Sequence, residues 1–393
     1  MKVLFAIGSL NAGGAEKIFM DLIKNMDPEK FDITLVLMDN IGLYRSQLPE
    51  HVKVKYIFDH RESGILRKIY GAISVVGTKI MRKVTAAPFY KKVIDEEYDV
   101  EIAFLEGDAT KFIAQSPNKK SVKYAWVHTD LIKNNWCGKC YRNEKEEKEV
   151  YSKFERVIAV STSVKEAFES KYGMKAEVLY NSLDEKEIYR KVDLENVDPA
   201  QEDIVRFIAI GRLVEVKGYK RLIKSFHKLE TETPNVELWI VGDGKQYNEL
   251  EQLIKEFKLE DKVRLLGFKQ NPYPYLKSSD VFVCSSYAEG FSTVVTEALI
   301  LGIPVVTTEC AGMRELLGDS EHGLIVDNSD EGLLYGMKTM VEDKECRNVY
   351  KEKAEKRGKD FLVSNRLKEI DRMFDEDLRN KGHQSFLGFT KVF

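Results

Sequence analysis

Two carboxylates eight residues apart, Glu289 and Glu297, flank a turn in the segment Glu289-Gly290-Phe291-Ser292-Thr293-Val294-Val295-Thr296-Glu297. The apolar run Val281 to Cys284 precedes it, so the whole reads as strand, turn and helix. Glu289 then sits in the loop, where it can reach a sugar. Glu297 falls more than a turn inside the helix, where it can accept hydrogen bonds from paired ribose hydroxyls. The amides of Gly290, Phe291 and Ser292 stand at the helix start and suit phosphate oxygens. Without further context, two glutamates at this spacing are usually solvated helix charges.

Other groups lie at strand ends too. Ile210-Gly211-Arg212-Leu213, followed by Lys217-Gly218, puts a guanidinium and an ammonium where a diphosphate could be neutralised as its sugar bond breaks. A solvated basic turn is the bland alternative. Ser9-Leu10-Asn11-Ala12-Gly13-Gly14-Ala15-Glu16 runs from the first strand into a helix, and its paired glycines allow close backbone approach to phosphate or hydroxyl oxygens. It is not the GxGxxG fingerprint. His128 ends the run Tyr124-Ala125-Trp126-Val127, a position more often filled by a structural histidine. Cys137-Gly138-Lys139-Cys140 is a single CxxC without a second pair, and both thiols read as structural.

Short β-branched runs alternate with helical stretches throughout, the pattern of parallel sheets covered on both faces. The predicted strands are Val3 to Gly8, Ile33 to Met38, Val52 to Ile57, Val100 to Leu105, Tyr124 to His128, Val157 to Val160 and Ala176 to Tyr180. A charged, weakly periodic stretch follows Ser182. The alternation then restarts with Val205 to Ile210, Glu237 to Val241, Val263 to Leu266, Val281 to Cys284, Val305 to Thr308 and Leu324 to Val326. A chain of 393 residues fits two such domains, with ligands expected in a cleft at the carboxyl ends of their strands. Ser364 to Leu378 reads as a last helix with Leu367, Ile370, Met373 and Phe374 on one face.

With 61 basic and 64 acidic residues, the balance speaks against a protein that coats nucleic acid. Neither a signal peptide nor a membrane span is expected, and five cysteines fit free thiols in the cytoplasm. Residues 61–94 stand apart, with eight basic side chains (Arg61, Arg67, Lys68, Lys79, Arg82, Lys83, Lys91, Lys92) against Glu62. Ile65, Ile69, Ile73, Val76, Ile80 and Val84 recur at helical spacing. This basic amphipathic helix suits an anionic membrane surface, while a core-packed helix with a solvated basic face is the alternative.

Taken together, the E-x7-E element of Glu289 and Glu297, the cations Arg212 and Lys217 and the glycines Gly13 and Gly14 resemble glycosyltransferase family 4, retaining enzymes of the GT-B fold. The likeness spans nearly the whole chain, strongest from Gly211 to Glu315. It implies two doubly wound Rossmann-like domains facing across a cleft: an acceptor-binding domain of residues 1–182, joined by a C-terminal helix of about 362–393, and a nucleotide-sugar-binding domain of 183–361.

The resemblance also implies that Glu297 holds the donor ribose and Glu289 the transferred sugar, with backbone contacts from Gly290, Phe291 and Ser292. Gly267 and Phe268 would mark the base region, and Gly211, Arg212 and Lys217 the diphosphate. His128 matches the group's active-site histidine, and Asn11, Gly14 and Glu16 are expected at the acceptor. Ser182 departs from the familiar Gly or Pro after Asn181.

The implied reaction is hexosyl transfer from a nucleotide-diphosphate sugar, a UDP-sugar by resemblance, to a saccharide acceptor that relatives often carry on lipid. Front-face attack assisted by the leaving phosphate needs no protein nucleophile. With cations already at the diphosphate, no metal or other cofactor is expected. Rival readings are a GT-B nucleotide-sugar epimerase or phosphorylase, and a non-catalytic donor-binding partner of an active transferase.

Overall fold

The computed structural model describes residues 1–11, 13–58, 65–289, 291–310 and 312–382, without the side chains of 65–73. Gly290, the 61–64 start of the basic segment and the 383–393 end of the C-terminal helix expected above fall outside the described residues.

The chain divides into two compact units, Met1–Ser182 with Val363–Phe393, and Leu183–Leu362. In the first, β1 (Lys2–Ile7), β2 (Asp32–Asp39), β3 (Lys53–Phe58), β4 (Val100–Ala103), β5 (Val122–Val127), β6 (Arg156–Ala159) and β7 (Glu177–Val178) form one sheet in the order β3-β2-β1-β4-β5-β6-β7. In the second, β8 (Val205–Ile210), β9 (Val236–Val241), β10 (Val263–Gly267), β11 (Val281–Cys284), β12 (Val305–Thr308) and β13 (Leu324–Val326) follow the order β10-β9-β8-β11-β12-β13. Every named pairing in both sheets is parallel.

The apolar runs form strands because helices cover both faces of each sheet and continuous burial rewards β-branched side chains. From Val3 to Ile7 every residue of β1 is buried, as are Val100 to Ala103 of β4. The second unit packs Phe207, Leu222, Phe226, Leu238, Val283 and Met337 into one core. Each sheet reverses its strand order beside its first strand, between β1 and β4 and between β8 and β11. There the following loops diverge to opposite faces and open a crevice.

Two of the predicted strands that end early do so for identifiable reasons. β4 stops at Ala103, and Gly107, at φ 87°, turns the chain into the next helix. β5 stops at Val127, because the His128 and Thr129 amides donate to the Glu106 carboxylate. The predicted strand from Ala176 to Tyr180 shrinks to the two residues of β7.

The helix Val363–Asn380 packs within the first unit, where Phe374 stacks on Tyr124 with centroids 5.3 Å apart. Asp377 accepts hydrogen bonds from the Tyr124 hydroxyl at 2.8 Å and from the Arg156 guanidinium at 2.7 Å.

In the helix Ile65–Lys83, Gly77 and Met81 face inward, while Val76 and Ile80 of the expected apolar stripe are 56% and 44% exposed. Val84, just beyond, is 64% exposed. The stripe is therefore not core-packed over its described part. Arg82 is not on the solvated basic face: its guanidinium bonds both oxygens of Asp108. Among the described residues no helix is long and apolar enough to cross a membrane.

Candidate functional site

In the second unit, the loops after β8 and β11 meet at the strand-order reversal. Lys217 closes a 3-10 turn, and Gly218 adopts φ 69° before the helix Tyr219–Glu232. A Cβ on Gly218 would stand 2.1 Å from the Ser285 carbonyl oxygen, so only glycine lets the two loops approach this closely. The Ser285 hydroxyl donates to the Lys217 carbonyl at 2.8 Å. The Lys217 ammonium pairs with Glu289, whose Oε1 also accepts from the Ser286 hydroxyl at 2.7 Å. Lys217, Glu289 and Ser292 line one cavity with Tyr219, Ser285 and Ser286.

Arg221 fastens this arrangement. It is 2% exposed, and its guanidinium donates to the Ser285 oxygen at 2.8 Å, the Ser286 oxygen at 2.6 Å and Asn328 Oδ1 at 2.7 Å. The guanidinium also lies 3.9 Å from the Tyr287 ring centroid. Burial pulls its pKa below the ordinary arginine value, as expected where every direct partner named here is neutral.

Ser292 caps the helix Thr293–Ile300 without a side-chain bond to it, so the cap satisfies none of the first-turn amides. Glu297, inside that helix, is 7% exposed and accepts from the Tyr273 hydroxyl at 3.0 Å. Gly211 directly follows β8, and its carbonyl would stand 1.9 Å from a Cβ on Gly242, which explains the glycine at the second position. Arg212 is exposed, Gly267 turns the chain at φ 69°, and Phe268 is 74% exposed. Phe291 packs edge-on against Phe361, 5.8 Å between centroids.

In the first unit, the helix Gly14–Asn25 starts after β1 with Gly13 as its cap. A Cβ on Gly13 would lie 2.1 Å from Glu16 Oε2, so the Glu16 carboxylate is folded back onto the helix start. Burial raises the Glu16 pKa. Gly14 is exposed with nothing near its Cβ direction, and exposed Asn11 donates to the Ser9 hydroxyl at 2.9 Å.

His128 is half-buried at the end of β5, with Nε2 2.9 Å from the Phe104 carbonyl. A carbonyl only accepts, so Nε2 carries the proton and Nδ1 is the acceptor. Burial depresses the imidazole pKa to about 4, which keeps the ring neutral at pH 7.

Its backbone amide and that of Thr129 both donate to Glu106 Oε1, at 2.6 and 2.7 Å. Glu106 is 2% exposed, burial raises its pKa, and its Oε2 has no hydrogen-bond partner. Cys137 and Cys140 are buried beside Gly107, and burial raises both thiol pKa values, Cys140 to about 12. Such thiols are poor nucleophiles.

The structure thus gathers Lys217, Glu289 and Ser292, and seats Glu297 on a partner that sequence reasoning missed. Tyr273, Arg221 and Glu106 all escaped notice, because each acts on residues far along the chain. Only the FLEG turn, an acid directly after an apolar strand, hinted at Glu106.

Residues 193–357, which include Arg212, Lys217, Glu289 and Glu297, match the family described as glycosyl transferases group 1. The chain is 32% identical over 367 residues to the Campylobacter jejuni N-acetylgalactosamine-N,N'-diacetylbacillosaminyl-diphospho-undecaprenol 4-alpha-N-acetylgalactosaminyltransferase, covering 90% of this chain and 94% of the relative. It is 35% identical over 174 residues to the Rhizobium meliloti lipopolysaccharide core biosynthesis glycosyltransferase LpsE, 44% of this chain and 48% of that one. Its fold is similar to that of Anabaena HepE in a complex with UDP, with a TM-score of 0.73, 21% identity and coverage of 96% and 100%. The near-complete match to the Campylobacter enzyme carries the assignment: the chain belongs to the glycosyl transferases group 1 family and is a glycosyltransferase whose two units have the doubly wound sheets of the GT-B fold.

Proposed function

We propose that this glycosyltransferase is a retaining enzyme that moves a hexosyl residue from a UDP-sugar to a lipid-linked saccharide during synthesis of a cell-surface polysaccharide or glycoconjugate. The observation that carries the reading is the arrangement of Lys217, Ser286 and Glu289 at the reversal between β8 and β11, one helix start away from buried Glu297. Support for the lipid carrier comes from the Campylobacter relative, whose name specifies a diphospho-undecaprenol acceptor, and support for uridine from HepE with UDP.

In this reading the second unit takes the donor. Arg212, Lys217 and the amides at the Ser292 helix start meet the leaving diphosphate, the electrostatic contribution expected to be largest. Gly211 allows close backbone approach, Gly267 and Phe268 flank the base, Glu297 receives the ribose hydroxyls, and Glu289, with the Gly290–Ser292 backbone, orients the sugar. The first unit takes the acceptor at Asn11, Gly14 and Glu16. Neutral His128 offers Nδ1 to a sugar hydroxyl, and Gly13 leaves the helix start open to phosphate oxygens. Charge neutralisation by side chains calls for no metal and no cofactor.

The exposed Val76, Ile80 and Val84, with the basic residues around them, support peripheral attachment of residues 61–94 to an anionic inner membrane face.

Incubation with UDP- and GDP-sugars, with and without a lipid-linked saccharide and with EDTA, tests this. The expected result is UDP release that needs the acceptor, survives EDTA and yields a product of unchanged anomeric configuration. Release without an acceptor, or dependent on inorganic phosphate, would instead favour an epimerase or phosphorylase.

A further inference from the structure

Glu297 is held by a residue from another part of the second unit. Tyr273 opens the short helix Tyr273–Lys277, six residues after β10 ends at Gly267, and its hydroxyl donates to Glu297 Oε1 at 3.0 Å. Both side chains are buried, at 5% and 7% exposure. Pro272 precedes Tyr273 and Pro274 follows it, so the backbone that carries the phenol has little freedom.

The segment is fixed on both sides of that ring. Asn271 donates to the Lys191 carbonyl at 2.7 Å, Tyr275 donates to Glu195 at 2.6 Å, and the Lys191 ammonium stands 5.8 Å from the Tyr273 ring centroid.

We propose that Tyr273 is a positioning residue that sets how the enzyme recognises the donor's ribose, an inference that rests on the proposed role of Glu297 as ribose acceptor. A carboxylate on a two-bond stem rotates, and paired hydroxyls need both of its oxygens in one defined plane. The hydrogen bond from this rigid phenol to Oε1 contributes to fixing that plane before any ligand arrives, which removes part of an ordering cost from binding. The phenol lies on the connection from Gly267 and Phe268, so base and ribose recognition share one rigid stretch of chain. A site built this way rejects a nucleotide lacking a ribose hydroxyl much more strongly than a freely rotating carboxylate does.

The test is calorimetric binding of UDP and 2'-deoxy-UDP, with GDP and 2'-deoxy-GDP in parallel, to the full chain and to Y273F, E297Q and the double variant. The unmodified protein should prefer the ribonucleotide by about tenfold or more, the scale of one lost hydrogen bond at a preorganised site. E297Q should abolish that preference. Y273F should reduce it to about threefold or less, raise the donor KM and leave kcat within about twofold, and the double variant should match E297Q.

A Y273F protein that keeps the full preference while E297Q loses it overturns the positioning role and leaves the ribose role of Glu297 standing, whatever happens to thermal stability. If E297Q keeps the preference, the ribose reading itself falls, and the role of Tyr273 with it.

Discussion

Lys217 and Glu289, 72 residues apart, form an ion pair across the loops that follow β8 and β11, with side-chain exposures of 25% and 13%. The ammonium proposed for the diphosphate is therefore already matched by a carboxylate. In the proposed reading a diphosphate competes with Glu289 for Lys217, which would release the carboxylate toward the sugar.

Removing the competitor should separate binding from turnover. E289Q is expected to tighten UDP by about fivefold, the equivalent of about 1 kcal/mol for a partly exposed pair, while turnover falls. K217M should weaken UDP instead, since it leaves Glu289 facing the phosphates. Calorimetry with parallel turnover assays checks both, and weaker UDP binding by E289Q would remove the competition.

Arg221 should matter through the loops that it fastens. R221M strips partners from the Ser285 and Ser286 carbonyls and from Asn328, an expected loss of about 2–4 kcal/mol in denaturant unfolding. R221K should not restore it, because one ammonium cannot reproduce the planar fork. Full stability in R221K would contradict this account.

Glu106 offers a cleaner separation of geometry from charge. E106A leaves the half-buried His128 and Thr129 amides without their acceptor, at about 1–3 kcal/mol each, and should lower both melting temperature and kcat. E106Q keeps an acceptor oxygen there and should restore most of both. If E106Q is as impaired as E106A, the charge matters rather than the clamp.

Acid should act through His128. Its folded pKa of about 4 lies below the unfolded value near 6.5, so the folded state binds fewer protons between those limits. Its contribution to stability is whole above about pH 6.5 and is lost as pH falls toward about 4. Melting curves from pH 7 to pH 4.5 should therefore be less steep for H128N than for the unmodified protein. Parallel curves would show that the folded and unfolded states bind the imidazole proton alike in this range.

Membrane attachment should depend on charge and on apolar contact together. K79E/K83E and V76S/I80S are each expected to lower sedimentation with anionic vesicles, at about 1 kcal/mol per basic residue near the surface. Added salt should release the unmodified protein but have little further effect on K79E/K83E. Binding to neutral vesicles as strong as to anionic ones would refute the electrostatic part.

The two sheets were legible in the residues because parallel strands buried on both faces need continuous β-branched runs, and such runs stand out against helical periodicity. Glu289, Ser292, Glu297, Arg212 and Lys217 were legible for a related reason: strand, turn and helix are neighbours in the chain. Periodicity also marked the 65–84 stripe, but it could not tell an inward face from an outward one.

Tertiary structure alone decided that Val76, Ile80 and Val84 face outward, that Lys217 is already paired, and that Arg221, Glu106 and Tyr273 bond the Ser285 and Ser286 carbonyls, the His128 and Thr129 amides and the Glu297 carboxylate. Their partners lie 64, 22 and 24 residues away, brought near by a strand order that returns to its first strand after the third. A hydrogen bond acts over about 3 Å of space, whatever the length of chain between its ends. Composition and spacing therefore name the groups able to form such bonds, and only the folded sheet selects which of them meet.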